Sequence, residues 1–350
     1  MKPLALTSLL RPSIRAIKPY SSAREEFVGG DKEMILLDAN ENPYPSAVNR
    51  YPDPLQGELK KALSAWKKCE PNQLFLSNGS DEVIAHLMTA FCEPGEDHIV
   101  LVPPTFGMYA VSANILGVAQ KNISLTADFQ LDVEAILKVS NAHSKLLFIP
   151  TPNNPTGNSF KQDDLLTLLH SFPGLVCIDE AYAEFSKAES FISKLKAFPN
   201  LVVMQTFSKA QGMAAIRLGI TFAHQELIAV LNTIKAPYNL NILTQQAALA
   251  QLPKQATIES QVATLLDERD RLMEAIATLG FVEKVFPSDA NFFLIRVDNS
   301  QKRYEELLDH GIVVRHMTKQ PMCQNTLRIS IGLPEENEAL LEALHKMNKK

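Results

Sequence analysis

The chain has 350 residues, of which 46% are hydrophobic, and a formal net charge of −5. This length can bury a sizeable core and suggests two or three domains, and the acidic balance argues against nucleic acid or an anionic membrane as a partner. The four cysteines are far apart and no apolar run reaches the length of a membrane span, so we predict a cytoplasmic protein with reduced thiols and no metal site.

The first predicted element is an irregular N-terminal arm. No acidic residue precedes Glu25, and the segment carries Arg and Ser, a composition that is also found in transit peptides. Arg11 interrupts the apolar run that a signal peptide would need. We expect residues 1–45 to form this arm and the start of a smaller domain, and the arm to pack with that domain.

Between residues 46 and 240, short apolar runs alternate with segments of helical periodicity. The runs predicted as strands are "LFLSN", "HIVLVP", "KLLFIP", "LVCID" and "LVVMQTFS". The segments predicted as helices are 55–69, 80–92, 105–117, 130–140 and 161–171. Runs that are apolar on both faces, with helices between them, predict a mainly parallel sheet covered by helices. We therefore predict a large α/β domain over 46–240.

The pattern changes after Tyr238. Residues 242–280 are rich in Ala, Leu, Gln and charged residues at helical spacing, and they predict a long connecting helix. Shorter strand-like runs and two further helices follow, the first near 301–310. We predict that 241–350 comprises the long helix and a smaller C-terminal α+β domain.

Polar side chains follow several of the predicted strands. Because ligands bind at the carboxyl ends of parallel strands, we expect these side chains to share one edge of the sheet. In chain order they are Ser80, Asp81, Asn153, Asn154, Asp179, Tyr182, Ser208 and Lys209. Singly, each has an ordinary structural interpretation, namely a helix cap, a tight turn or a solvated lysine. The buried position of Asp179 is more informative, since a charge there needs a partner.

This combination suits an aldehyde cofactor with a pyridine ring. A lysine can form a Schiff base with the aldehyde, and a buried carboxylate can keep a ring nitrogen protonated. Hydroxyls, a helix N-terminus and an arginine can hold a phosphate, for which Ser208 and Arg217 are the candidates. The chain contains none of the G-x-G-x-x-G, G-x-x-x-x-G-K-[ST], H-E-x-x-H or G-x-S-x-G motifs of other chemistries.

At this point the chain resembles the fold-type I aminotransferases that depend on pyridoxal 5′-phosphate (PLP). The order Asn153, then Asp179-x-x-Tyr182, then Ser208-Lys209-x7-Arg217 is similar to the signature of that superfamily. Within it the chain is similar to the histidinol-phosphate aminotransferases. The segments that carry this resemblance are "KPYSSAR", "LDANENPYP", "NRYPD", "NGSDEVI", "PPTFGMY", "TPNNPTGN", "IDEAYAEF", "PSDANFFLIR", "GIVVRHMTKQP" and "LRISIG". It implies a seven-stranded, mainly parallel sheet between helices and a smaller α+β domain.

The resemblance also implies cofactor roles. Lys209 is expected to form the Schiff base and to carry a proton, and Asp179 to pair with the ring nitrogen. The remaining expected cofactor contacts are Asn153 and Tyr182 at the ring hydroxyl, Phe106 on the ring face, and Ser80, Asp81, Ser208 and Arg217 at the phosphate. Tyr51 is expected to reach the cofactor of a neighbouring subunit, which implies a homodimer.

For the substrate, the resemblance implies that Arg328 and Arg315 bind its anions and that Tyr20 closes over it. The implied reaction is transamination between L-histidinol phosphate and 2-oxoglutarate in histidine biosynthesis. Three alternatives remain open: an L-threonine-phosphate decarboxylase, a broader aromatic or aspartate aminotransferase, and a non-catalytic PLP-binding regulator. Gln211 stands where a large apolar residue is usual in the family, and this places the local packing in question.

Overall fold

The computed structural model describes residues 6–18 and 34–348, and a seven-stranded sheet forms the larger core of that part of the chain. Its strands are β1 (Leu74–Asn78), β2 (His98–Leu101), β3 (Ala119–Asn122), β4 (Ser144–Pro150), β5 (Leu175–Asp179), β6 (Leu201–Thr206) and β7 (Leu218–Ala223). Their order in space is β1-β7-β6-β5-β4-β2-β3. All neighbouring pairs from β6 to β3 are parallel, and β7 is antiparallel to both β1 and β6. The carboxyl ends of β1, β4, β5 and β6 and the start of β7 therefore share one edge.

Helices cover both faces of this sheet. They are α3 (Gly57–Lys67), α4 (Ser80–Phe91), α5 (Met108–Ile115), α6 (Val133–Val139), α7 (Gln162–Ser171), α8 (Gln225–Ile234) and α9 (Ile242–Gln251). Apolar side chains on the two faces form two separate clusters, one centred on Leu147 and Val203 and the other on Phe148 and Met204. All five residues of β5 are buried, as expected for a central parallel strand. The mainly parallel α/β architecture is thus confirmed.

Gly219 on β7 permits a close approach at the functional edge of the sheet. A Cβ atom at this position would lie 2.7 Å from the carbonyl carbon of Gly79 and 2.8 Å from the amide nitrogen of Ser80. Real side chains do not tolerate such distances from backbone atoms. Glycine at 219 therefore lets β7 pack directly against the turn that starts α4.

A four-stranded antiparallel sheet forms the second core. Its strands are β8 (Val282–Val285), β9 (Phe292–Val297), β10 (Arg315–His316) and β11 (Thr326–Ser330), in the spatial order β10-β11-β9-β8. The helices in this part of the chain are α10 (Gln255–Ile276), α11 (Ser300–Asp309) and α12 (Pro334–Asn348). Leu272, Phe293 and Leu344 are among the apolar residues that join α10, β9 and α12. The limits of the two domains remain a prediction.

The structure corrects the predicted elements in two ways. The helix predicted over 242–280 is interrupted by a 3₁₀ turn at Leu252–Lys254, because Pro253 cannot continue the hydrogen-bond ladder of an α-helix. The strands β3 and β7 were not among the predicted runs. β3 lies at the edge of the sheet and has the polar sequence AQKN, so it lacks the apolar pattern that identifies buried strands.

The N-terminal arm forms two short helices in its described part, α1 (Leu6–Leu9) and α2 (Pro12–Arg15). Leu6 joins the apolar cluster between the larger sheet and α4. The guanidinium of Arg11 pairs with Glu93 at 3.1 Å and donates to the Thr89 carbonyl. Residues 6–18 thus lie against the larger sheet and its helices, and the predicted packing with the smaller domain is not seen there.

Among the residues that the structure describes, no helix has both the length and the apolar character that crossing a bilayer requires.

Candidate active site

A cavity of about 560 Å³ opens at the carboxyl edge of the larger sheet, next to β10 and β11. This volume is typical of a site for a small molecule. Ten of the residues predicted from the sequence line it: Ser80, Asp81, Phe106, Asp179, Tyr182, Ser208, Lys209, Arg217, Arg315 and Arg328. In residues 6–18 and 34–348, no cluster of His, Cys, Asp and Glu side chains is suited to a metal ion.

One end of the cavity suits an anion. Helix α4 begins at Ser80, and no side chain caps its first turn, so backbone N–H groups are left without intrahelical partners. The Arg217 guanidinium reaches this turn, lying 3.7 Å from Asp81 and 3.4 Å from the Ser208 hydroxyl. Gly79 makes this approach possible, since a Cβ there would lie 2.5 Å from an Arg217 nitrogen. This end can therefore bind a phosphate group.

Lys209 lines the cavity from the turn after β6. Its Nζ lies 5.5 Å from the centre of the Tyr182 ring. Partial burial lowers the pKa of the Lys209 amine, and the neighbouring guanidinium groups of Arg328 and Arg217 lower it further, while Asp179 and Asp81 oppose them. A lysine with a lowered pKa is a better nucleophile toward a carbonyl group at neutral pH.

Asp179 closes the floor of the cavity at the end of β5. Only 4% of its surface is exposed, and burial raises the pKa of its carboxyl group. Two hydrogen bonds oppose this effect: the Tyr109 hydroxyl donates to Oδ2 at 2.6 Å, and the Ala181 amide donates to Oδ1 at 3.1 Å. Each oxygen retains the capacity to accept a further donor. Asp179 can therefore pair with a protonated ring nitrogen.

Tyr182 and Asn154 form a polar wall of the cavity. The side-chain amide of Asn154 donates to the Tyr182 hydroxyl at 3.5 Å, and the Asn154 carbonyl oxygen accepts from Arg328. Tyr182 is 8% exposed, and burial raises its pKa to about 12. Its phenol is thus neutral at ordinary pH and can donate a hydrogen bond to a ligand.

Asn153 does not reach the cavity, so its predicted contact with the cofactor is wrong. The neighbouring Asn154 lines the cavity instead. Its side-chain nitrogen donates to the Pro104 carbonyl at 3.0 Å and to the Thr156 hydroxyl at 2.7 Å, and the residue is fully buried. Adjacent side chains in this turn point to different sides, so that Asn154, and not Asn153, lines the cavity. The sequence "NNPTG" alone does not distinguish the two amides.

The two substrate arginines lie side by side. Arg315 on β10 pairs in register with Arg328 on β11, and both line the cavity. Arg328 is mostly buried over the Phe292 ring, at 5.1 Å, and burial lowers its pKa. Its Nε atom is buried and has no hydrogen-bond partner within residues 6–18 and 34–348. Two adjacent guanidinium groups, one with an unused donor, form a second anion site.

The three aromatic residues predicted to contact the cofactor or substrate from outside the strand ends, Phe106, Tyr51 and Tyr20, are placed differently from one another. Phe106 lines the cavity and meets Tyr109 edge to face, with the ring centroids 5.5 Å apart. Tyr51 lies outside the cavity, half exposed and stacked on Tyr238 at 4.4 Å. Its contact with a neighbouring subunit remains a prediction. Tyr20 lies outside the described residues.

The residues at this site fit PLP. The anion end suits the phosphate, the Asp179 carboxylate suits the ring nitrogen, and the Lys209 amine suits the aldehyde. Two buried polar atoms on the cavity wall have no partner among the residues that the structure describes, Thr105 Oγ1 and Arg328 Nε. Buried polar groups are normally hydrogen-bonded, so these atoms indicate a polar ligand in the cavity.

The sequence reasoning missed several residues of this site. They are Thr105, Thr206 and Tyr109, whereas Asn154 was noted in the turn but the cofactor contact was assigned to Asn153. Thr206 at the end of β6 accepts from the Ser208 amide and donates to the Leu218 carbonyl, and it thereby fixes the turn that carries Lys209. Tyr109 lies in α5, three residues after Phe106, and no signal in the sequence set it apart from the apolar residues of that helix.

Comparison with known proteins agrees with this geometry. The family model described as aminotransferase class I and II matches residues 33–344. A histidinol-phosphate aminotransferase from Flavobacterium johnsoniae is 48% identical and covers 99% of this chain and 100% of its own length.

Solved structures agree as well. The histidinol-phosphate aminotransferase from Clostridium acetobutylicum superimposes with a TM-score of 0.80 at 26% identity, covering 86% of this chain and 91% of its own. The enzyme of the same name from Sinorhizobium meliloti, solved in complex with pyridoxal-5′-phosphate, has a TM-score of 0.78 at 22% identity, covering 86% and 83%; at that identity it supports the fold alone. The chain belongs to the class I and II aminotransferases and, within them, to the histidinol-phosphate aminotransferase family.

Proposed function

We propose that the protein is a histidinol-phosphate transaminase that uses PLP. It transfers an amino group between L-histidinol phosphate and 2-oxoglutarate, giving 3-(imidazol-4-yl)-2-oxopropyl phosphate and L-glutamate, and it runs in reverse during histidine biosynthesis. The observation that carries this proposal is one cavity that Lys209 and the Arg217 anion site line from the larger sheet and that the paired Arg315 and Arg328 line from the smaller sheet.

PLP supplies an electron sink that stabilises negative charge at the substrate Cα atom. Lys209 would hold it covalently, and Asp179 would bind its ring nitrogen. Asn154 and Tyr182 would donate to the ring hydroxyl, and Phe106 would pack on the ring. Ser80, Asp81 through its backbone N–H, Ser208 and Arg217 would bind the phosphate. Thr206 fixes the position of Ser208 and so supports the same end.

Lys209 would also move the proton. The lowered pKa of its amine means that, once released from the cofactor, it takes up a proton from the substrate Cα at neutral pH more readily than a surface lysine does. The hydrogen bond network around Tyr182 and Asn154 limits the motion of the groups that face this amine.

Arg315 and Arg328 would bind the phosphate of histidinol phosphate in one half-reaction and a carboxylate of glutamate in the other. Guanidinium groups suit both anions, because their paired N–H donors match two oxygens of either group. The unused Nε donor of Arg328 supports this role.

We further propose a cytoplasmic homodimer in which Tyr51 reaches the partner's cofactor phosphate. Several large apolar side chains close to Tyr51 in the sequence are exposed in the single chain: Ile35, Leu37, Tyr44, Val48 and Leu55. So many exposed apolar side chains in one segment favour an interface. Sedimentation velocity of the purified protein tests the dimer, and a monomer that retains full activity would rule out a shared site.

The first experiment compares amino donors. Glutamate formation from 2-oxoglutarate is measured with L-histidinol phosphate, L-phenylalanine and L-aspartate, and carbon dioxide release with L-threonine phosphate. We expect the largest kcat/KM for L-histidinol phosphate. A larger value for an aromatic or acidic amino acid, or carbon dioxide release, would replace the proposed substrate.

A further inference from the structure

A buried phenol contacts the carboxylate at the floor of the cavity. Tyr109 is fully buried at the start of α5, and its hydroxyl lies 2.6 Å from Asp179 Oδ2. Its ring stacks on Phe148 of β4 at 4.8 Å with an interplanar angle of 17° and meets Phe106 edge to face. The two rings leave the phenol little freedom to turn away from Asp179.

The two donors to Asp179 approach different oxygens. The Ala181 amide holds Oδ1 at 3.1 Å, and the Tyr109 hydroxyl holds Oδ2. A carboxylate held at both oxygens cannot rotate freely, and it keeps one lone pair on each oxygen for other partners. The hydrogen bond from Tyr109 also favours the ionised form of Asp179 against the effect of burial.

We propose that Tyr109 is a positioning residue that holds Asp179 ionised and correctly oriented toward the ring nitrogen of the cofactor. It acts through Asp179, because Tyr109 is not among the residues that line the cavity. The orientation of Asp179 toward the ring nitrogen rests on the proposed function. The effect of Tyr109 on the ionisation of Asp179 does not depend on the cofactor.

Other ionisable groups also act on Asp179. Lys209 favours its ionised form and Asp81 disfavours it. Cys177 and Tyr182 are neutral neighbours, since burial raises the pKa of both. Tyr109 itself stays neutral, because burial and Asp179 raise its pKa well above the usual value. The Tyr109 phenol therefore remains a hydrogen-bond donor at neutral and mildly alkaline pH.

The first experiment uses the cofactor-free protein. Infrared spectra across a pH series report the protonated carboxyl group of Asp179, which is assigned by subtracting the spectrum of Asp179→Asn. We expect Asp179 to be ionised at neutral pH in the parent and to titrate at higher pH in Tyr109→Phe. Tyr304→Phe, which removes a phenol from the smaller domain, is the matched control and should leave this titration unchanged.

The second experiment measures cofactor binding in a double-mutant cycle. Trp66 is the only tryptophan of the chain and meets Phe207 edge to face at 6.1 Å, two residues from Lys209, so its fluorescence can report PLP binding. We expect Tyr109→Phe to weaken PLP binding about tenfold in the parent, as expected for losing a hydrogen bond to a charged group, and less than twofold in the Asp179→Asn background.

The third readout is the nuclear magnetic resonance of ¹⁵N-labelled PLP bound to each variant. In Tyr109→Phe we expect the ¹⁵N chemical shift of the ring nitrogen to move toward the value of an unprotonated pyridine. A merely structural role for Tyr109 would not produce this change.

Two outcomes would overturn the inference. One is an Asp179 that is already protonated at neutral pH in the parent, and the other is an equal effect of Tyr109→Phe in both backgrounds. If no variant or parent binds PLP, the proposed function fails, but the infrared titration still decides whether Tyr109 controls Asp179.

Discussion

The two ends of the cavity differ in how completely the protein satisfies one charged group at each, Asp179 and Arg328. At the end built by the larger sheet, Asp179 already has a donor on each oxygen, and Thr206 fixes the Ser208 turn. At the end built by the smaller sheet, Arg328 Nε is buried without a partner, and Arg315 is exposed beside it. The Asp179 carboxylate, already held in place, suits a cofactor that stays bound through many turnovers. The unused Nε donor of Arg328 suits substrates that bind and leave in each turnover.

This difference predicts which measurement each substitution changes. Changes at the larger-sheet end should alter cofactor affinity or the chemical step, whereas changes at the smaller-sheet end should alter mainly the kinetics with anionic substrates. The predictions below begin with the largest expected effect.

Removal of Lys209 should have the largest effect. Lys209→Ala loses both the covalent link to the cofactor and the proton carrier, so we expect kcat to fall by about 10⁴-fold or more. Single-turnover absorbance measurements with L-histidinol phosphate provide the test. Lys161→Ala, at an exposed helix terminus, is the control and should retain parental activity. A Lys209→Ala protein with a kcat within tenfold of the parent would exclude a central role for this amine.

The substrate arginines come next. Arg328→Ala leaves the substrate anion without its buried guanidinium, and we expect kcat/KM for L-histidinol phosphate to fall about a hundredfold. Arg315 is more exposed, so Arg315→Ala should cost about tenfold, with PLP affinity unchanged. Steady-state kinetics and PLP titration measure both quantities. If Arg315→Ala weakened PLP binding more than substrate binding, the separation between the two ends would not hold.

The pH dependence of Lys209 modification sharpens the same distinction. Burial and the nearby guanidinium groups lower the pKa of Lys209 below 10.5 in the cofactor-free protein. A larger fraction of its amine is therefore neutral near pH 8 than for a surface lysine. Mass spectrometry should show that acetylation of Lys209 rises at lower pH than that of Lys161. Identical pH profiles for the two lysines would show that the cavity does not perturb this amine.

The smallest predicted effect concerns Gln211, the unusual residue two positions after Lys209. Its buried amide exchanges two hydrogen bonds of 3.2 Å with Gln255 at the start of α10. Gln255→Ala would leave a buried amide without a partner, and we expect the free energy of unfolding to fall by about 1–3 kcal/mol. Urea denaturation measures this change, and kcat should stay near the parental value. Unchanged stability would mean that water replaces Gln255 at no cost.

The sequence was informative where burial leaves a pattern. The apolar runs identified five strands of the larger sheet, and the polar residues at the carboxyl ends of three of them, at 80, 179, 208 and 209, meet in one cavity as expected. Patterning failed for β3, which is polar because it lies at a sheet edge. The sequence pattern also could not show which of Asn153 and Asn154 faces the cavity, because the orientation of adjacent side chains in a turn depends on tertiary contacts.

Tyr109 shows a second limit of sequence reasoning. A tyrosine in an apolar helix is compatible with simple core packing, and only the position of Asp179, 70 residues away in the chain, gives its hydroxyl a role. Its position three residues after Phe106 did not identify this partner. Contacts between residues so far apart in the sequence arise from the order of strands in the sheet.

The most direct test of amino transfer at this site is the absorption spectrum of the purified protein with PLP. On addition of L-histidinol phosphate, we expect the visible band of the lysine-bound cofactor to be replaced by that of pyridoxamine phosphate, and 2-oxoglutarate should restore the original band. That cycle would establish both half-reactions in one cavity. A visible band that L-histidinol phosphate leaves unchanged would contradict the proposed substrate.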